Sequence, residues 1–519
     1  MCERYVLHNI GAKTLEITVP EFSQTIATDP EKGVEGSYRI RAELLGSGAF
    51  ALEPSDSLVF DAVFQAYRED EKPLRPDIAA ELAARRDFVR RQIDAKLILE
   101  TPDPIIDTEF RFAKLRAAES IIKTRGGYMH APGGESYYAA IWANDQAEYV
   151  NPFFPFLGYG IGNASALNSF RHFARFMNTD YRPLPSSIIA EGSDIWDGAG
   201  DRGDAAMIAC GAARYALARG DRAEAEELWP LIEWSLEYCR RRLTSTGVVA
   251  SDTDELEGRF PAGDANLCTS TLYYDALLSA VHLGRELGLK TAQTKRYARE
   301  AQALATAIER HFGAEVGGYH TYRYYAGNTT LRSWICMPLI AGLTERRTGT
   351  VSALLGPELL TDDGLLTEQG STTFWDRSTL YALRGIYNAG ESDQATDLLH
   401  RYSQRRLLGD HVPYPIEAWP EGSQRHLSAE SGLYCRAVTE GLFGIRPTGL
   451  KSFDLTPSIP TTWDRMALRQ VQAFGDDFDI VIQRISASRL RIDVTPHKGT
   501  PLSFLIRPGA TVRIALPTH

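Results

Sequence analysis

Four carboxylates crowd one short segment of the chain, SDTDELEGRF (251–260). They are Asp252, Asp254, Glu255 and Glu257, and they lie between two stretches of helical periodicity. Like charges at this density repel one another, so at least one pKa rises if the segment is partly buried. A carboxylic acid with a raised pKa is the group that protonates a leaving oxygen near neutral pH. A solvated acidic turn has the same composition, and on composition alone it is the slightly better interpretation.

A second segment, IWANDQAEYVNPFFPFLG (141–158), combines carboxylates with aromatic side chains. It places Asp145 and Glu148 among Trp142, Tyr149 and Phe153. Sugar rings have apolar C–H faces and hydroxyl edges, so an aromatic platform beside a carboxylate suits a carbohydrate. The segment therefore predicts that Trp142 and Asp145 bind a sugar. The alternative is a buried aromatic cluster in which Asp145 caps a helix.

A third segment, AEGSDIWDGAGDRGD (190–204), is also rich in carboxylates, with Asp197 near its centre. The spacing does not match the D-x-D-x-D-G pattern of a calcium loop, so no metal is predicted here. Asp204 precedes an apolar helical stretch that it is able to cap. We expect Asp197 to contact the substrate, and a purely structural loop is the alternative.

A fourth segment, DHVPYPIEAWPEGSQRHLSAESGLYCRAVTEGLFGI (410–445), holds Glu417 and Glu430 beside several aromatic residues. Glu430 lies at the start of a predicted helix, for which Ser428 is the predicted N-cap. The simplest role for Glu430 is a carboxylate that interacts with the helix dipole. We expect Glu417 to contact the substrate.

A fifth segment, LLTEQGSTTFWDRSTLYALRGIYNAG (365–390), offers Trp375 and Asp376. We expect both to line the same cleft as the other segments. An exposed ion pair between Asp376 and Arg377 is the alternative for the second of them.

The elements that carry these segments change character twice along the chain. Runs such as LEITV (15–19) and YRIRAELL (38–45), separated by turn residues, predict an N-terminal β-rich region over 1–75. From 76 to 449 apolar residues recur at three- and four-residue spacing, which predicts helices. These are 78–98, 107–123, 163–177, 204–219, 222–243, 267–287, 291–312, 329–343, 374–389, 393–407 and 428–443. Strand patterns return over 450–519 and predict a small C-terminal β-domain.

The connections between the predicted helices are unequal in length. Short ones, such as RGDR (219–222), are typical of helical hairpins, whereas the long ones are the carboxylate-rich segments described above. About a dozen helices in hairpins is what an (α/α)6 barrel requires. The fold class predicted is therefore mostly α, an (α/α)6 toroid with a binding face built from loops. An open helical array fits the same helix count.

Composition excludes several classes of function. The chain has 519 residues and a net charge of −11, from 56 basic and 67 acidic side chains, without a basic run. Nucleic acid and membrane surfaces are thus not expected as partners. The first residues, MCERYVLHNIGAK, lack the apolar core of a secretory signal, so a cytoplasmic location is expected; a secreted chain whose signal has been removed is the alternative. The six cysteines are widely spaced and are predicted to be buried free thiols, and no metal or cofactor is expected.

Three of these segments resemble motifs of the six-hairpin glycosidases, a superfamily that includes glucoamylases, trehalases, rhamnosidases and disaccharide phosphorylases. TDELEGRFPAGDANLCTSTLYYDAL (253–277) resembles the loop that carries the acid in disaccharide phosphorylases. IWANDQAEYVNPFFPFLG (141–158) resembles the Trp-x-x-Asp substrate loop found widely in six-hairpin glycosidases, in which the Asp binds sugar hydroxyls. SAESGLYCRAVTEGLFGIRPTGLKSFDLTPSIPTTWDRMALRQV (428–471) is similar to the end of many such enzymes, where the last barrel helix and a turn lead into a β-domain.

The resemblance implies a glycoside hydrolase that cleaves oligosaccharides or glycosides, exo-acting and inverting. It implies that Glu255 is the general acid; because Leu256 stands where an aromatic residue is usual, Asp254 and Glu257 remain alternatives. It implies that Glu430 is the general base, with Glu417 as the second match. An inverting pair of carboxyl groups stands roughly 6.5–9.5 Å apart and a retaining pair about 5–5.5 Å apart. The substrate-binding residues expected are Trp142, Asp145, Asp197, Trp375, Asp376 and Glu417.

Other functions fit parts of this pattern. A glycoside phosphorylase uses the same acid, with phosphate in place of the enzymic base. A polysaccharide lyase on a helical toroid relies on Tyr, His or Arg instead of two carboxylates. A carbohydrate-binding scaffold without catalysis accounts for the aromatic residues but does not need the paired acidic loops.

Overall fold

A computed structural model describes residues 1–33, 35–131, 139–189, 194–372, 374–409, 412–419 and 429–517. The chain divides into two compact units, Met1–Arg91 and Gln92–His519. The predicted division into three parts, at 75/76 and 449/450, stays a prediction.

The first unit consists of six strands and most of one helix. They are β1 Cys2–His8, β2 Leu15–Val19, β3 Ser23–Ala27, β4 Tyr38–Leu45, β5 Gly48–Leu52, β6 Ser57–Arg68 and α1 Ile78–Asp94. The strands β1, β6, β4 and β3 form one antiparallel sheet in that order, and β2 pairs with β5. Val19, Leu52 and Leu58 form its buried cluster, because alternate residues of each strand point to the same face. The predicted strands LEITV and YRIRAELL have the bounds of β2 and β4.

The second unit is built largely from helices. They are α2 Pro104–Glu119, α3 Phe154–Leu157, α4 Gly160–Ala174, α5 Asp204–Arg219, α6 Arg222–Arg241, α7 Leu267–Glu286, α8 Thr291–Phe312, α9 Met337–Ile340, α10 Arg347–Leu354, α11 Asp376–Asn388, α12 Ser392–Arg401 and α13 Ala429–Arg436. Three π-helices, Ala143–Val150, Tyr402–Leu407 and Ala437–Leu442, and a 3-10 helix, Ser333–Cys336, adjoin them.

Short strands lie between the helices of the second unit. They are β7 Ile98–Glu100, β8 Ile121–Thr124, β9 Gly127–His130, β10 Ala140–Trp142, β11 Ser187–Ile189, β12 Asp194–Trp196, β13 Gly313–Val316, β14 Tyr319–Tyr322, β15 Leu360–Thr361, β16 Gly364–Leu365, β17 Phe374–Trp375 and β18 Ala418–Trp419. Seven strands follow at the C-terminal end: β19 Ile445–Gly449, β20 Ser452–Leu455, β21 Arg465–Val471, β22 Phe478–Ser486, β23 Arg489–Pro496, β24 Leu502–Ile506 and β25 Val512–Ala515. Strand β7 joins β21–β24 in one five-stranded sheet, which ties the start of the helical region to these strands.

The predicted helices agree with the structure where the apolar periodicity is regular. The predicted bounds of α5 and α8 are those observed, and α6 runs through Pro230 from Arg222 to Arg241. The prediction of one helix over 329–343 is wrong: a 3-10 helix is followed by the short α9, in which Pro338 occupies the first turn. The π-helix Ala143–Val150 was not predicted, since a π-helix lacks the 3.6-residue period.

The helices pack in pairs. The π-helix Ala143–Val150 packs against α4 and α5, α5 against α6 and α7, and α7 against α8 and α9. Helix α11 contacts α9, α12 and α13, while α13 contacts α2 and the π-helix Ala143–Val150. Two glycines permit close approaches to the π-helix Ala143–Val150, because a Cβ at Gly211 would lie 1.7 Å from the Ala147 carbonyl oxygen and one at Gly432 would lie 2.8 Å from the Cα of Val150.

A buried ionic cluster joins four of these helical segments. The Glu440 carboxylate accepts hydrogen bonds from Arg214 at 2.9 Å, Arg384 at 2.6 Å and Arg436 at 2.6 Å. Burial opposes ionisation of Glu440, but the three guanidinium groups hold its pKa well below the usual range. The cluster therefore depends on a carboxylate that stays charged.

Glu440→Gln is expected to destabilise the protein by about 3–5 kcal/mol, because it leaves buried guanidinium groups without their shared counter-charge. The free energy of unfolding in urea measures the effect. Glu226→Gln is the matched control, because its bridge to Arg222 joins two side chains that are each 56% exposed; it is expected to change stability by less than about 0.5 kcal/mol. Equal stability of the two variants would contradict the role given to the cluster.

Two further features bear on the class of protein. Among the residues that the structure describes, no helix combines the length and apolar character that crossing a membrane requires. All six cysteines are free thiols, as predicted; five are buried and Cys2 is partly exposed.

Candidate active site

The N-terminal ends of the helical segments in the second unit bring six side chains into one cluster. They are Asp145, Arg202, Glu255, Trp334, Arg377 and Glu430, each in the first turn of a helical segment or in the loop before it. Helix N-termini carry a partial positive charge, which favours carboxylates at these positions. The contacts described next link Asp145, Glu255, Trp334, Arg377 and Glu430 directly or through Tyr149, whereas Arg202 lies 3.3 Å from Glu257 of the same loop as Glu255.

Glu255 lies in the loop that precedes α7. We call this loop, residues 251–266, the carboxylate loop. Its side chain is 2% exposed, and its two oxygens accept hydrogen bonds from the Tyr149 hydroxyl and from Nε1 of Trp334, the latter at 2.5 Å. Burial raises the pKa of Glu255 to about 7, although Arg377 and the Tyr149 hydrogen bond oppose the rise. A carboxyl group with this pKa holds a proton near neutral pH and is able to donate it.

Asp254 has a structural environment of its own. Its Oδ2 accepts hydrogen bonds from the Tyr324 hydroxyl at 2.8 Å and from Nη2 of Arg332, which is fully buried. Nη1 of Arg332 also donates to the Pro261 carbonyl oxygen at 2.8 Å. Arg332 therefore holds the carboxylate loop on both sides of Glu255.

Glu257, the other alternative for the acid, points to a different partner. Its Oε1 lies 3.3 Å from Nη1 of Arg202, and its side chain is 27% exposed. Its backbone has a φ of 60°, a conformation that a non-glycine residue adopts at an energetic cost, and Gly258 follows with a φ of 78°. This turn sets the path of the loop immediately after Glu255.

Glu430 is fully buried in the first turn of α13. One of its oxygens, Oε1, accepts two hydrogen bonds from Arg377: one from Nη2 at 2.5 Å and one from Nε at 3.1 Å. Its Oε2 has no hydrogen-bond partner among the residues that the structure describes. A buried carboxylate oxygen of this kind is suited to accept a proton from water. The predicted N-cap Ser428 lies outside the described residues.

Arg377 connects the two predicted catalytic carboxylates. Its Nη1 lies 3.4 Å from the Tyr149 hydroxyl, which donates to Glu255, and its Nη2 lies 3.4 Å from Oδ1 of Asp145. Burial raises the pKa of Asp145 well above its usual range, while the charge of Arg377 opposes the rise. The structure thus brings Glu255, Glu430 and Asp145 together around Arg377 and Tyr149.

Trp142 lies beside this cluster, at the end of β10. The Arg202 guanidinium stands 5.3 Å from its ring centroid, and the Trp196 ring is 5.2 Å away. Arg202 is itself held by Asp204, at 2.9 Å. Asp204 is the first residue of α5, whose N-cap is Gly203, so its carboxylate binds Arg202 and Ser186 instead of capping the helix.

Trp375 borders an open cavity of about 450 Å³ beside the carboxylate loop. The guanidinium groups of Arg259 and Arg377 stand 4.8 Å and 5.2 Å from its ring centroid. Glu417 lies 3.9 Å from Nη1 of Arg259. Trp375 and Glu417 are thus linked to the cluster through the two arginines.

Two predicted substrate residues lie apart from these contacts. Asp376 is buried, and its Oδ2 accepts from the Ile416 amide at 2.6 Å and faces Arg406 at 3.5 Å, so it anchors the segment that carries Glu417. The predicted alternative, an exposed Asp376–Arg377 pair, is wrong, because both side chains are buried and Arg377 pairs with Glu430. Asp197 is exposed in the turn after β12.

Sequence reasoning missed the groups that position the carboxylates. Trp334 falls in a stretch that was predicted only as a helix, and Arg332 was not singled out. Arg377 was considered only as half of a surface pair with Asp376, because arginine next to aspartate is common on surfaces. The one usable signal was Tyr149, which stands in the aromatic segment around Asp145.

Metal binding was not expected from the sequence. Over the described ranges, no group of three or more His, Cys, Asp or Glu side chains is arranged to hold a metal ion. The cluster around Arg377 instead pairs its carboxylates with a guanidinium group.

The fold is similar to those of solved carbohydrate-active enzymes. A sialidase superposes with a TM-score of 0.60 at 11% identity, over 99% of this chain and 61% of its own. A GH78 family rhamnosidase of Bacillus sp. GL1 gives a TM-score of 0.59 at 12% identity, over 95% of this chain and 50% of its own. Streptomyces avermitilis alpha-L-rhamnosidase, solved with L-rhamnose, gives 0.51 at 12% identity, over 99% and 51%.

These identities are low, so the likeness concerns the fold. This chain spans 61% of the sialidase and about half of each rhamnosidase. No family model matches the sequence. No curated protein matches it either. The sequence motifs indicated a resemblance to a group of enzymes that includes rhamnosidases, and the fold of this chain is similar to those of two rhamnosidases.

Proposed function

We propose that this protein is an exo-acting, inverting glycoside hydrolase in which Glu255 is the general acid and Glu430 the general base. The observation that carries the proposal is a buried acid with a pKa of about 7, linked through Tyr149 and Arg377 to a second buried carboxylate. A proton donor and a separate proton acceptor are what inverting hydrolysis requires. The sialidase and rhamnosidases of similar fold support a carbohydrate substrate.

The proposed fold is an (α/α)6 toroid. Its inner layer would comprise the π-helix Ala143–Val150, α5, α7, the segment 333–340, α11 and α13, each of which contacts the next. Each inner segment also packs against one helix of an outer layer, namely α4, α6, α8, α10, α12 and α2. The predicted site residues stand at the N-terminal ends of the inner segments, so they would meet at one mouth of the toroid.

The two carboxyl groups have different tasks. The Glu255 proton would pass to the glycosidic oxygen as the bond to the leaving group breaks. Oε2 of Glu430 would take a proton from water on the opposite face of the sugar, while Arg377 fixes the carboxylate through Oε1. Tyr149 and Arg377 link the two carboxyl groups without a direct contact between them, and we propose that the pair keeps the ~6.5–9.5 Å spacing of an inverting enzyme.

Sugar binding would fall to residues beside this pair. Asp145, whose pKa is raised by burial, is placed to exchange hydrogen bonds with sugar hydroxyls. Trp142 would offer aromatic surface, Trp375 would hold Arg259 over its ring beside the sugar, and Glu417 and Asp197 lie farther out. Asp376 is proposed to position the segment that carries Glu417 through its bond to the Ile416 amide.

A panel of gluco-, rhamno- and sialo-configured oligosaccharides, with the matching aryl glycosides, tests the activity with and without added phosphate. Phosphate-independent release of free sugar is the expected result. Release of a sugar phosphate only when phosphate is present would replace hydrolysis by phosphorolysis and remove Glu430 from catalysis. Proton NMR of the first-formed product is expected to show inverted anomeric configuration.

The pH dependence of the reaction provides a further prediction. Glu255 must be protonated to act as the acid, so kcat/KM for an oligosaccharide is expected to fall as the pH rises through about 7. A 2,4-dinitrophenyl glycoside does not need that proton, so its kcat/KM is expected to lack this decline. An identical alkaline limb for both substrates would assign the limb to a group other than the acid.

A further inference from the structure

We infer that the cavity beside the carboxylate loop is the subsite for the leaving group and that it takes a neutral sugar. The inference rests on the proposed function. The cavity measures about 450 Å³, within the range of small-molecule sites. Two chain segments line it, which we call its walls: Arg259 and Phe260 form one, and Glu368, Gln369, Gly370, Ser371 and Thr372 form the other; Trp375 completes the lining.

Both walls are fixed relative to Glu255. Arg332, which binds Asp254, donates to the Pro261 carbonyl oxygen next to Phe260. Its own backbone pairs with that of Glu368, and the Gln369 amide donates to the Leu331 carbonyl oxygen at 2.9 Å. One buried arginine therefore joins the acid-bearing loop to both walls. A sugar in the cavity would keep a set position relative to the acid.

The cavity lies at the outer side of the site. Glu430, Arg377, Asp145 and Tyr149 are buried, whereas Arg259 and Gln369 are exposed. The general acid must touch the glycosidic oxygen, which leaves with the outer part of the substrate in exo-action. The wall formed by Arg259 and Phe260 belongs to the same loop as Glu255. The leaving group is therefore the part of the substrate that this cavity suits.

The lining indicates the chemistry of that group. The guanidinium groups of Arg259 and Arg377 both stand over the Trp375 ring, whereas the half-buried Phe260 has, among the described residues, only Arg332 over its ring, so Phe260 supplies the aromatic face to the cavity. The amide of Gln369 and the hydroxyls of Ser371 and Thr372 suit the hydroxyl edge of a sugar. The charge of Arg259 is compensated by Glu417 at 3.9 Å, so no uncompensated cation selects an acidic group. A neutral sugar meets all three conditions.

Phe260→Ala tests the assignment through two substrates that share one glycone. The first is the disaccharide with the highest kcat/KM in the panel, and the second is the glycosyl fluoride of its non-reducing sugar. Fluoride is too small to fill the cavity, so the variant is expected to lose about tenfold more kcat/KM on the disaccharide than on the fluoride. Phe260→Tyr keeps the ring and is expected to restore most of this difference.

Gln369→Ala gives a second test on the opposite wall and is expected to show the same substrate dependence. Phe112→Ala is the matched control, since Phe112 is a 37% exposed phenylalanine of α2. Equal losses on both substrates, or no loss in either cavity variant, would overturn the leaving-group assignment while wild-type hydrolysis keeps the proposed function. A wild-type enzyme that cleaves neither substrate would instead overturn the proposed function, and the subsite with it.

Discussion

Glu255→Gln is expected to lower kcat/KM for natural oligosaccharides by about 10³-fold while sparing a 2,4-dinitrophenyl glycoside to within about tenfold. Glutamine has the shape of glutamic acid, so its carbonyl oxygen still accepts the hydrogen bond from Nε1 of Trp334. Its amide, however, cannot donate the acidic proton that a poor leaving group needs. Dinitrophenolate leaves without protonation. Steady-state kinetics on the two substrates, at a pH below 7, measure the contrast.

The two neighbouring carboxylates provide the comparison variants. Asp254→Asn weakens the pair with Arg332 and thereby the anchoring of the carboxylate loop, so losses on both substrates are expected together. Glu257→Gln removes a 3.3 Å contact with Arg202 and is expected to have a smaller effect. A selective loss on oligosaccharides in Asp254→Asn, with Glu255→Gln near wild type, would move the acid to Asp254.

The physical reason that singles out Glu255 is the difference in its partners. Asp254 forms an ion pair with the guanidinium group of the buried Arg332 and also accepts a hydrogen bond from Tyr324. Glu255 instead accepts hydrogen bonds from neutral donors in a buried site, and burial raises its pKa to about 7. The sequence shows the four crowded carboxylates but not their partners. The choice among Asp254, Glu255 and Glu257 therefore came from the resemblance.

Local structure followed from the sequence wherever the pattern was repetitive. The alternation in LEITV predicted the bounds of β2, because alternate residues of a strand point to the same face. The largely apolar stretch 204–219 predicted those of α5, a helix that is buried on all sides. The pattern over 333–340 gave the wrong prediction of a single helix, since a new helix with Pro338 in its first turn begins there. Long-range pairing has no such local signal. Nothing near Arg332 in the sequence indicates that it contacts both Asp254 and Pro261.

The sequence indicated the carboxylates of the site but not the roles of the arginines that pair with them. Glu430 and Asp145 stand in recognisable segments, and the structure places both beside Arg377. Arg377 had looked like half of a surface pair because burial is not visible in a two-residue motif. Asp376 was predicted to line the cleft, because the sequence does not show which way a side chain points; its carboxylate faces Arg406 and the Ile416 amide.

Glu430→Gln is expected to lower kcat/KM by about 10³-fold on the oligosaccharide and on the dinitrophenyl glycoside alike. Attack by water needs a base whatever the leaving group, so a good leaving group gives no relief. The contrast with Glu255→Gln separates base from acid within one protein. Selective loss on the oligosaccharide alone would instead make Glu430 a proton donor.

The variant also removes the charge that pairs with the buried Arg377, which then has only the weaker contact with Asp145 at 3.4 Å. A loss of folding stability must therefore be separated from the loss of the catalytic base. Glu430→Ala with added azide makes the separation, because azide attacks the sugar without a base and fits the space left by the side chain. Recovery of dinitrophenyl glycoside cleavage, with a glycosyl azide as product, is expected only from a folded site that lacks its base. Failure of azide to restore turnover in a variant that melts cooperatively and still binds the product sugar would contradict the role of Glu430.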